Sequence, residues 1–479
     1  MPLSLSFNPK RIGLVIGPIL FLITLSFPTP EGLSQNGKVV LGLSIWMIVW
    51  WVSEAISVYA TALLPLGMMP LMGILPVNEI AGEYMHPIIV LLLGMFLVAL
   101  AIERSGLHRK IAFELIALFG YSPRRIIWGL MISCALVSAV TMSTTVVLIM
   151  LPVAFAILTA LSDSGYQIST RFRISLMLGI AYSSSIGSVA SLIGAPPNLL
   201  YAGTVQQIFS HSVTFVEWST LGVPLAIIMQ AITGIYLTRR VDQQTRSEIE
   251  IKQVILEHKA RLGRITGEQL TVLAVLVTIL TLMFTAPYWQ QPGSHITNSV
   301  IAILGGISLF VLPRSRSDSL LDWAGVEKLP FGLLFLLGGG LALSLSFVSS
   351  GLADWIANSL SVVGALPFAL VVPLIVGLIM FMTNIKSNTA TAAIFIPIVA
   401  TMAVINGWPP LPILFGITVA VSFAFLLPMG TPPNALIYEK AKIPMREMFQ
   451  NGFILNLVGI AIISLFTILI APEVLILAK

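Results

Sequence analysis

Hydroxyl and carboxamide side chains occur twice in this sequence in the same arrangement. Ser387-Asn388-Thr389 open a segment that ends at Pro397, and Met142-Ser143-Thr144 open one that ends at Pro152. The interval is 245 residues at both ends of the segment (388 − 143 and 397 − 152). The oxygen atoms of such side chains can ligate a small hard cation, and their O–H and N–H groups can donate to an anion.

A second motif repeats downstream of each copy. Gly-x-Pro-Pro-Asn stands at 194–198 and again at 430–434, an interval of 236 residues (434 − 198). A helix start that follows such a break has unpaired N–H groups and the positive end of the helix dipole, which suits an anion. Two breaks that face each other could therefore hold one dianion between them, with cations alongside.

Other interpretations of the polar residues are less favourable. Ser and Thr often hydrogen-bond to the backbone of their own helix, and a single Ser-Asn-Thr would favour that structural role. The repetition at a fixed interval favours a functional site instead. The five histidines lack metal-ligand spacing, and no Gly-rich phosphate loop with Lys-Ser/Thr is present, so the sequence indicates neither a metalloenzyme nor direct use of ATP.

The composition predicts an all-α polytopic membrane protein. Hydrophobic residues make up 57% and charged residues only 9% of the 479 positions, and apolar runs of about 20 residues recur. The net charge of +5 comes from short basic loops that fix topology, so it indicates no nucleic-acid partner. We expect a multi-pass protein of the cytoplasmic membrane, with a cytoplasmic N-terminus.

The breaks and the charged stretches divide the chain. We predict N-terminal helices at 1–84, a first repeat at 85–238, and a connector at 239–268. Further helices of the second half follow at 269–329, and the second repeat and a C-terminal helix at 330–479. The connector is interpreted as an amphipathic cytoplasmic segment at the membrane surface, and a solvated helix without lipid contact is an equal alternative. Glu54, at a predicted helix end, is assigned an interfacial or inter-helix role.

Two halves that each contain two helix breaks are typical of a secondary transporter. Broken helices survive in a membrane only inside protein or against a cavity, because an unpaired backbone group in hydrocarbon costs several kcal/mol. An anion channel is the alternative from another class, since hydroxyl-lined cavities also suit pores. A membrane-embedded enzyme is not expected, because no acid/base or nucleophile set appears.

At these residues the chain resembles the divalent anion/sodium symporters, the carriers of dicarboxylates, citrate and sulfate. The resemblance lies in TNIKSNTATAAIFIP at 383–397, in the two Gly-x-Pro-Pro-Asn motifs and in WWVSEAISVYATALLPLGMMPLMGI at 50–74. It implies a homodimer in the lipid bilayer and two inverted repeats with re-entrant hairpins. It also implies an elevator movement of a transport domain, at 85–238 and 330–479, against scaffold helices at 1–84 and 269–329. It also implies that sodium is the coupling ion and that no other cofactor is used.

The resemblance also assigns site residues. The first sodium site would use Ser138, Ser143 and the carbonyl of Gly194, and the second Thr383, Asn388 and the carbonyls of Lys386 and Gly430. The substrate carboxylates would meet Ser143, Thr144, Asn388, Thr389, Thr431 and Pro432. Small C4-dicarboxylates such as succinate, malate or fumarate are the expected substrates, and sulfate or citrate is the alternative.

Three departures from the family pattern bear on coupling. Met142-Ser143-Thr144 lacks the serine and the asparagine of the motif, Ala195 lacks the hydroxyl that Thr431 keeps, and Lys386 places an ammonium group beside the second motif. Lost oxygen ligands should weaken the first cation site, and Lys386 could act as a fixed-charge substitute for sodium. That hypothesis predicts a sodium-independent anion exchanger. The alternative is that Lys386 points away from the site and offers only its carbonyl.

Overall fold

The computed structural model of the chain describes residues 9–163, 168–239, 241, 247–290, 295–314, 318–359, 366–385 and 387–475. Within these ranges the chain is helical and contains no strand beyond an isolated bridge between Pro313 and Ser319. Nine helical segments in the described part are long and apolar enough to cross a membrane. The predicted all-α, multi-pass architecture is therefore confirmed.

The first half contains thirteen described helices. They are α1 (Pro9–Ser26), α2 (Gln35–Ser53), α3 (Val58–Thr61), α4 (Leu64–Leu71), α5 (Val77–Tyr84), α6 (Pro87–Ser105), α7 (Leu107–Phe119), α8 (Pro123–Ser138), α9 (Ser143–Asp163), α10 (Thr170–Ser188), α11 (Pro196–Phe209), α12 (Phe215–Thr238) and α13 (Ser247–Leu262).

The second half repeats much of this order. It contains α14 (Gly267–Trp289), α15 (Asn298–Val311), α16 (Trp323–Val326), α17 (Phe331–Ser349), α18 (Leu352–Ser359), α19 (Phe368–Ile385), α20 (Asn388–Ile405), α21 (Pro410–Ser422), a 3₁₀ turn (Pro428–Gly430), α22 (Pro432–Ala441), α23 (Met445–Leu465), a π-helical turn (Phe466–Ile470) and α24 (Ala471–Val474).

The sequence intervals reappear as intervals between helix starts. Helices α8 and α9 begin at Pro123 and Ser143, and α19 and α20 begin 245 residues later at Phe368 and Asn388. Helix α11 begins at Pro196 and α22 at Pro432, which is the 236-residue interval (432 − 196). The same break positions therefore interrupt both halves, as the motifs predicted. The inverted relation of the halves and the four boundaries between the predicted segments remain predictions.

Glycines allow the long apolar helices to cross closely. A Cβ atom on Gly94 of α6 would collide with the backbone at Ala302 of α15, and one on Gly339 of α17 would collide with Ala62. Small residues at crossings are how membrane helices gain van der Waals contact without a hydrophobic driving force. Gly338 and Gly340, on either side of Gly339, pack in the same close manner against Tyr84 and Leu200.

The predicted connector at 239–268 contains helix α13, which contacts other helices of the first half. Helix α13 packs against both α7 and α9. The Lys259 ammonium lies 2.6 Å from the Glu114 carboxylate, and Lys110 donates to the carbonyl of Gly263 just beyond α13. Its placement at the membrane surface stays a prediction.

The early apolar segment is less regular than its composition suggests. Helix α2 ends at Ser53, and Glu54 adopts a left-handed backbone with φ of 49°. This is an uncommon conformation for a residue with a side chain. Two short helices, α3 and α4, follow, and both pack against α2 and α17.

Candidate functional site

Four helix breaks meet around one cavity. The breaks lie between α8 and α9, between α10 and α11, between α19 and α20, and between α21 and α22. The cavity has a volume of about 560 Å³, within the usual range of roughly 300–1,000 Å³ for small-molecule sites. Its lining includes residues from all four breaks. Two repeats that are distant in sequence thus contribute to one site.

Most of the predicted site residues are brought together here. The cavity is lined by Ser143, Thr144, Gly194, Asn388, Thr389, Gly430, Thr431 and Pro432. Ser138 and Thr383 are fully buried and do not line the cavity. Lys386 lies outside the described residues, so its predicted side-chain role is untested.

Four helix N-termini open onto the cavity. The first residues of α9, α11, α20 and α22 are Ser143, Pro196, Asn388 and Pro432, and all four line it. Among the described lining residues there is no Lys, Arg or His, and Glu54 is the one carboxylate. An anion bound here would therefore be held by neutral donors and helix dipoles rather than by a cationic side chain.

Asn198 and Asn434 organise the two Pro-Pro-Asn breaks in the same way. The Asn198 side-chain amide donates to the carbonyls of Ser188 at 3.1 Å and Ser191 at 2.8 Å. The Asn434 amide donates to the carbonyls of Ala424 at 2.8 Å and Leu427 at 3.2 Å. The acceptors lie ten and seven residues before each asparagine, so the two loops share one bonding pattern. Both asparagines were within the quoted motif, but the sequence analysis gave them no role.

Ser138 and Thr383 also occupy equivalent places, 245 residues apart. The Ser138 hydroxyl donates to the carbonyl of Ser184 at 2.5 Å, near the end of α10. The Thr383 hydroxyl lies 2.8 Å from the carbonyl of Val421, near the end of α21. Each residue therefore ties the end of its hairpin's first helix to the last turn of the next broken helix.

Thr383 has a second oxygen neighbour. Its hydroxyl lies 2.7 Å from Oδ1 of Asn388, the first residue of α20. One hydroxyl hydrogen cannot serve both Asn388 and Val421, so three oxygen atoms converge on a single proton. Such an oxygen-rich group suits a hard cation better than it suits a closed set of hydrogen bonds.

The two Pro-Pro-Asn helix starts differ in their caps. The Thr431 hydroxyl accepts a hydrogen bond from the backbone N–H of Asn434 at 3.2 Å, so its own hydrogen remains able to donate into the cavity. Ala195 offers no such group, and the N–H of Asn198 donates to the backbone carbonyl of Ala195 instead. The loss of a hydroxyl noted in the sequence is thus also the loss of a helix cap.

The remaining wall comes from residues that the sequence analysis did not assign to the site. Glu54, Tyr59, Leu92 and Phe96 line the cavity from the early helices. Ser422, at the end of α21, also lines it, and its buried hydroxyl has no hydrogen-bond partner among the described residues. Glu54 stands at a helix end as predicted, and its carboxylate lies 3.5 Å from the Lys10 ammonium group of α1, which is an inter-helix contact of the predicted kind. It also lines this cavity, which the sequence analysis did not predict.

Comparison with known proteins agrees with this architecture. The family model described as "Sodium:sulfate symporter transmembrane region" matches residues 9–477. The "Sodium-dependent dicarboxylate transporter SdcS" of Staphylococcus aureus (strain MSSA476) is 35% identical over 479 residues, covering 97% of this chain and 92% of that protein. The SdcS protein of strain COL matches with the same identity and coverage.

Solved transporter structures share the fold at low sequence identity. The Alcanivorax borkumensis YdaH transporter aligns with a TM-score of 0.56 at 14% identity, covering 96% of this chain and 97% of that chain. The Neisseria gonorrhoeae efflux pump MtrF aligns with a TM-score of 0.56 at 15% identity, covering 97% and 96%. The family match extends over nearly the whole chain and confirms the resemblance seen in the motifs. The protein is a membrane transporter, not an enzyme, and it belongs to the sodium:sulfate symporter family of divalent anion transporters.

Proposed function

We propose that the protein is a sodium-coupled carrier of small divalent anions, with C4-dicarboxylates such as succinate, malate or fumarate as its substrates. The observation that carries the proposal is the single cavity that gathers polar helix starts from both repeats. The name of the 35%-identical relative, a sodium-dependent dicarboxylate transporter, supports the same substrate class.

Carboxylates are well matched to the donors at the helix starts. Ser143 and Thr144 of the first half and Asn388 and Thr389 of the second supply hydroxyl and amide groups. Thr431 adds a hydroxyl whose hydrogen is not used by its cap, and Pro432 packs beside it. A linear dianion between the two halves would place one carboxylate near each pair of helix starts.

Charge balance supports sodium as the coupling ion. A buried dianion without a counter-charge is strongly unfavourable, and the described lining supplies no cationic side chain. We place one sodium ion among Ser138, Ser143 and the carbonyl of Gly194. We place the second among Thr383, Asn388 and the carbonyls of Lys386 and Gly430. The convergence of oxygens at Thr383 supports the second site.

We further propose that transport follows an elevator movement within a homodimer. The cavity lies where the polar helix starts of the repeats face a wall of N-terminal helices that includes Val58 and Tyr59. Movement of the repeats against this wall would open the site to each side of the membrane in turn. The segments at 1–84 and 269–329 would form the scaffold, and those at 85–238 and 330–479 the moving part.

Sodium-independent anion exchange is the second candidate. It is favoured by the first motif, in which Met142-Ser143-Thr144 offers fewer oxygen ligands than Ser387-Asn388-Thr389. A single weakened site, or an ammonium group at Lys386, would make the carrier depend on a counter-anion rather than on sodium. Lys386→Ala tests the fixed-charge role, because unchanged sodium dependence and affinity would exclude it.

Uptake of labelled succinate into proteoliposomes distinguishes these mechanisms. We expect an inward sodium gradient to drive uptake into empty vesicles, with saturation at high succinate. Uptake that needs internal dicarboxylate and ignores sodium would establish the exchanger instead. Unitary currents without saturation would indicate a channel and refute the carrier proposal.

A further inference from the structure

A second cavity lies on the other side of α9 from the candidate substrate site. It has a volume of about 450 Å³ and is formed by the end of α6 and by α7, α9 and α13. Thr145, Leu148 and Ile149 of α9 line it, directly after Ser143 and Thr144, which line the first cavity. One helix thus separates the two cavities.

The charged lining of the second cavity has a net positive charge. Arg109 of α7 and Arg261 of α13 face it, together with Glu103 of α6. Nearby cations have partners, since Arg104 pairs with Asp322 at 2.9 Å and Lys259 pairs with Glu114. In the described part of the chain, neither Arg109 nor Arg261 makes an ion pair or a side-chain hydrogen bond. The three charged lining groups therefore sum to one positive charge that nothing described here neutralises.

Apart from Thr145, the rest of the lining is apolar, and one of its residues on α9 is exposed. Leu148 is 53% exposed although it belongs to a candidate membrane-spanning helix. Ile149 and Val153 continue the apolar surface along α9. The cavity therefore joins a cationic mouth, formed by Arg109 and Arg261, to an apolar groove along α9, and one ligand could occupy both parts.

The position of the cavity indicates the cytoplasmic leaflet. The segments around 103–114, 259–268 and 314–328 meet here through ion pairs such as Arg314 with Glu268 at 3.3 Å. These segments are rich in Lys and Arg, which stay on the cytoplasmic side of a membrane. Anionic lipid headgroups are attracted to basic pockets between helices on that side.

We propose that this cavity binds one anionic phospholipid of the cytoplasmic leaflet. Arg109 and Arg261 hold the headgroup phosphate, and an acyl chain lies along Leu148, Ile149 and Val153. A headgroup with one negative charge, such as that of phosphatidylglycerol, matches the net charge of the mouth. Glu103 disfavours headgroups with more negative charge.

Lipid binding to the purified full-length protein tests the proposal. Titration with phosphatidylglycerol and with phosphatidylcholine, followed by native mass spectrometry, gives the two affinities. We expect phosphatidylglycerol to bind about tenfold more tightly, and Arg109→Gln with Arg261→Gln to weaken its binding about thirtyfold. The matched control is Arg264→Gln with Lys328→Gln, which removes two exposed charges outside the cavity and should leave the affinity unchanged.

A second variant separates a lipid from a soluble phosphate. Leu148→Trp keeps both arginines, changes an exposed position and fills the groove, so it should weaken phosphatidylglycerol binding even if the double arginine variant does not fold. Glycerol 3-phosphate should not compete. Equal losses in the control variant would overturn the proposal. So would competition by glycerol 3-phosphate together with full phosphatidylglycerol binding by Leu148→Trp, because the site would then take a soluble phosphate.

Discussion

Replacement of Thr383 by valine tests the proposed second sodium site. Valine keeps the shape of threonine but removes the hydroxyl that lies 2.7 Å from Asn388 Oδ1 and 2.8 Å from the Val421 carbonyl. A hydrogen-bonding oxygen facing a charge contributes about 1.5–3 kcal/mol. Loss of this ligand should therefore raise the sodium dissociation constant roughly ten- to hundredfold.

The effect can be measured without knowing the transported anion. The thermal unfolding midpoint is followed against NaCl, with choline chloride holding the ionic strength constant. At a sodium concentration of 100 times the dissociation constant, binding stabilises the native state by about 2.7 kcal/mol. A tenfold weaker site would leave about half of that stabilisation, and the sodium midpoint would move to higher concentration.

Thr418→Val is the matched control for this experiment. Thr418 is as buried as Thr383, but it donates to the Leu414 carbonyl of its own helix at 2.7 Å, away from the cavity. The Thr418→Val variant should lower the unfolding temperature without changing the sodium concentration at which half of the sodium-dependent stabilisation is reached. An unchanged midpoint in Thr383→Val, or an equal change in Thr418→Val, would refute the reasoning.

Three further predictions concern the breaks and the α6–α7 junction. Asn434→Ala should lower the free energy of unfolding by about 2–6 kcal/mol, because two buried carbonyls lose their hydrogen-bond donors. Asn198→Ala should lower it by a similar amount, and chemical unfolding measures both. A loss of stability in only one of the two variants would contradict the shared bonding pattern. Ala195→Thr should stabilise the protein by about 1 kcal/mol in the same assay, because it supplies the helix cap that Thr431 provides in the second half. If the free energy of unfolding does not increase, the first break cannot adopt the geometry of the second. Burial lowers the pKa of His108 below its ordinary 6.5, so the protein should lose stability as the pH falls below about 6.5. His108→Gln should remove that part of the pH dependence of the thermal unfolding midpoint. If the pH profile of the variant is unchanged, this histidine is not the cause.

The sequence predicted the helix breaks well because the responsible signals are local. Proline, glycine and repeated polar residues mark the positions where helices end and restart, and the 245-residue interval correctly placed Ser143 and Asn388 at equivalent helix starts. The family match then confirmed the transporter class that the two-fold repetition had indicated.

The walls of the site could not be predicted in the same way. Glu54 and Tyr59 reach the cavity because α2 ends at Ser53 and the short helix α3 that follows packs against α17, which is distant in sequence. The sequence predicted the helix end at Glu54 but not the distant helix against which the next segment packs. The roles of Asn198 and Asn434 were also hidden, because their acceptors are backbone carbonyls that only the folded loops bring within reach.

The shared asparagine bonds have an evolutionary consequence. The pattern that shapes both Pro-Pro-Asn breaks uses backbone carbonyls as acceptors, so it does not depend on which side chains line the cavity. Each half can therefore exchange residues at its Pro-Pro-Asn break while its loop stays folded, and Ala195 against Thr431 is a substitution of this kind. Single mutations can then change the donors that face the cavity, whereas the architecture of the breaks persists.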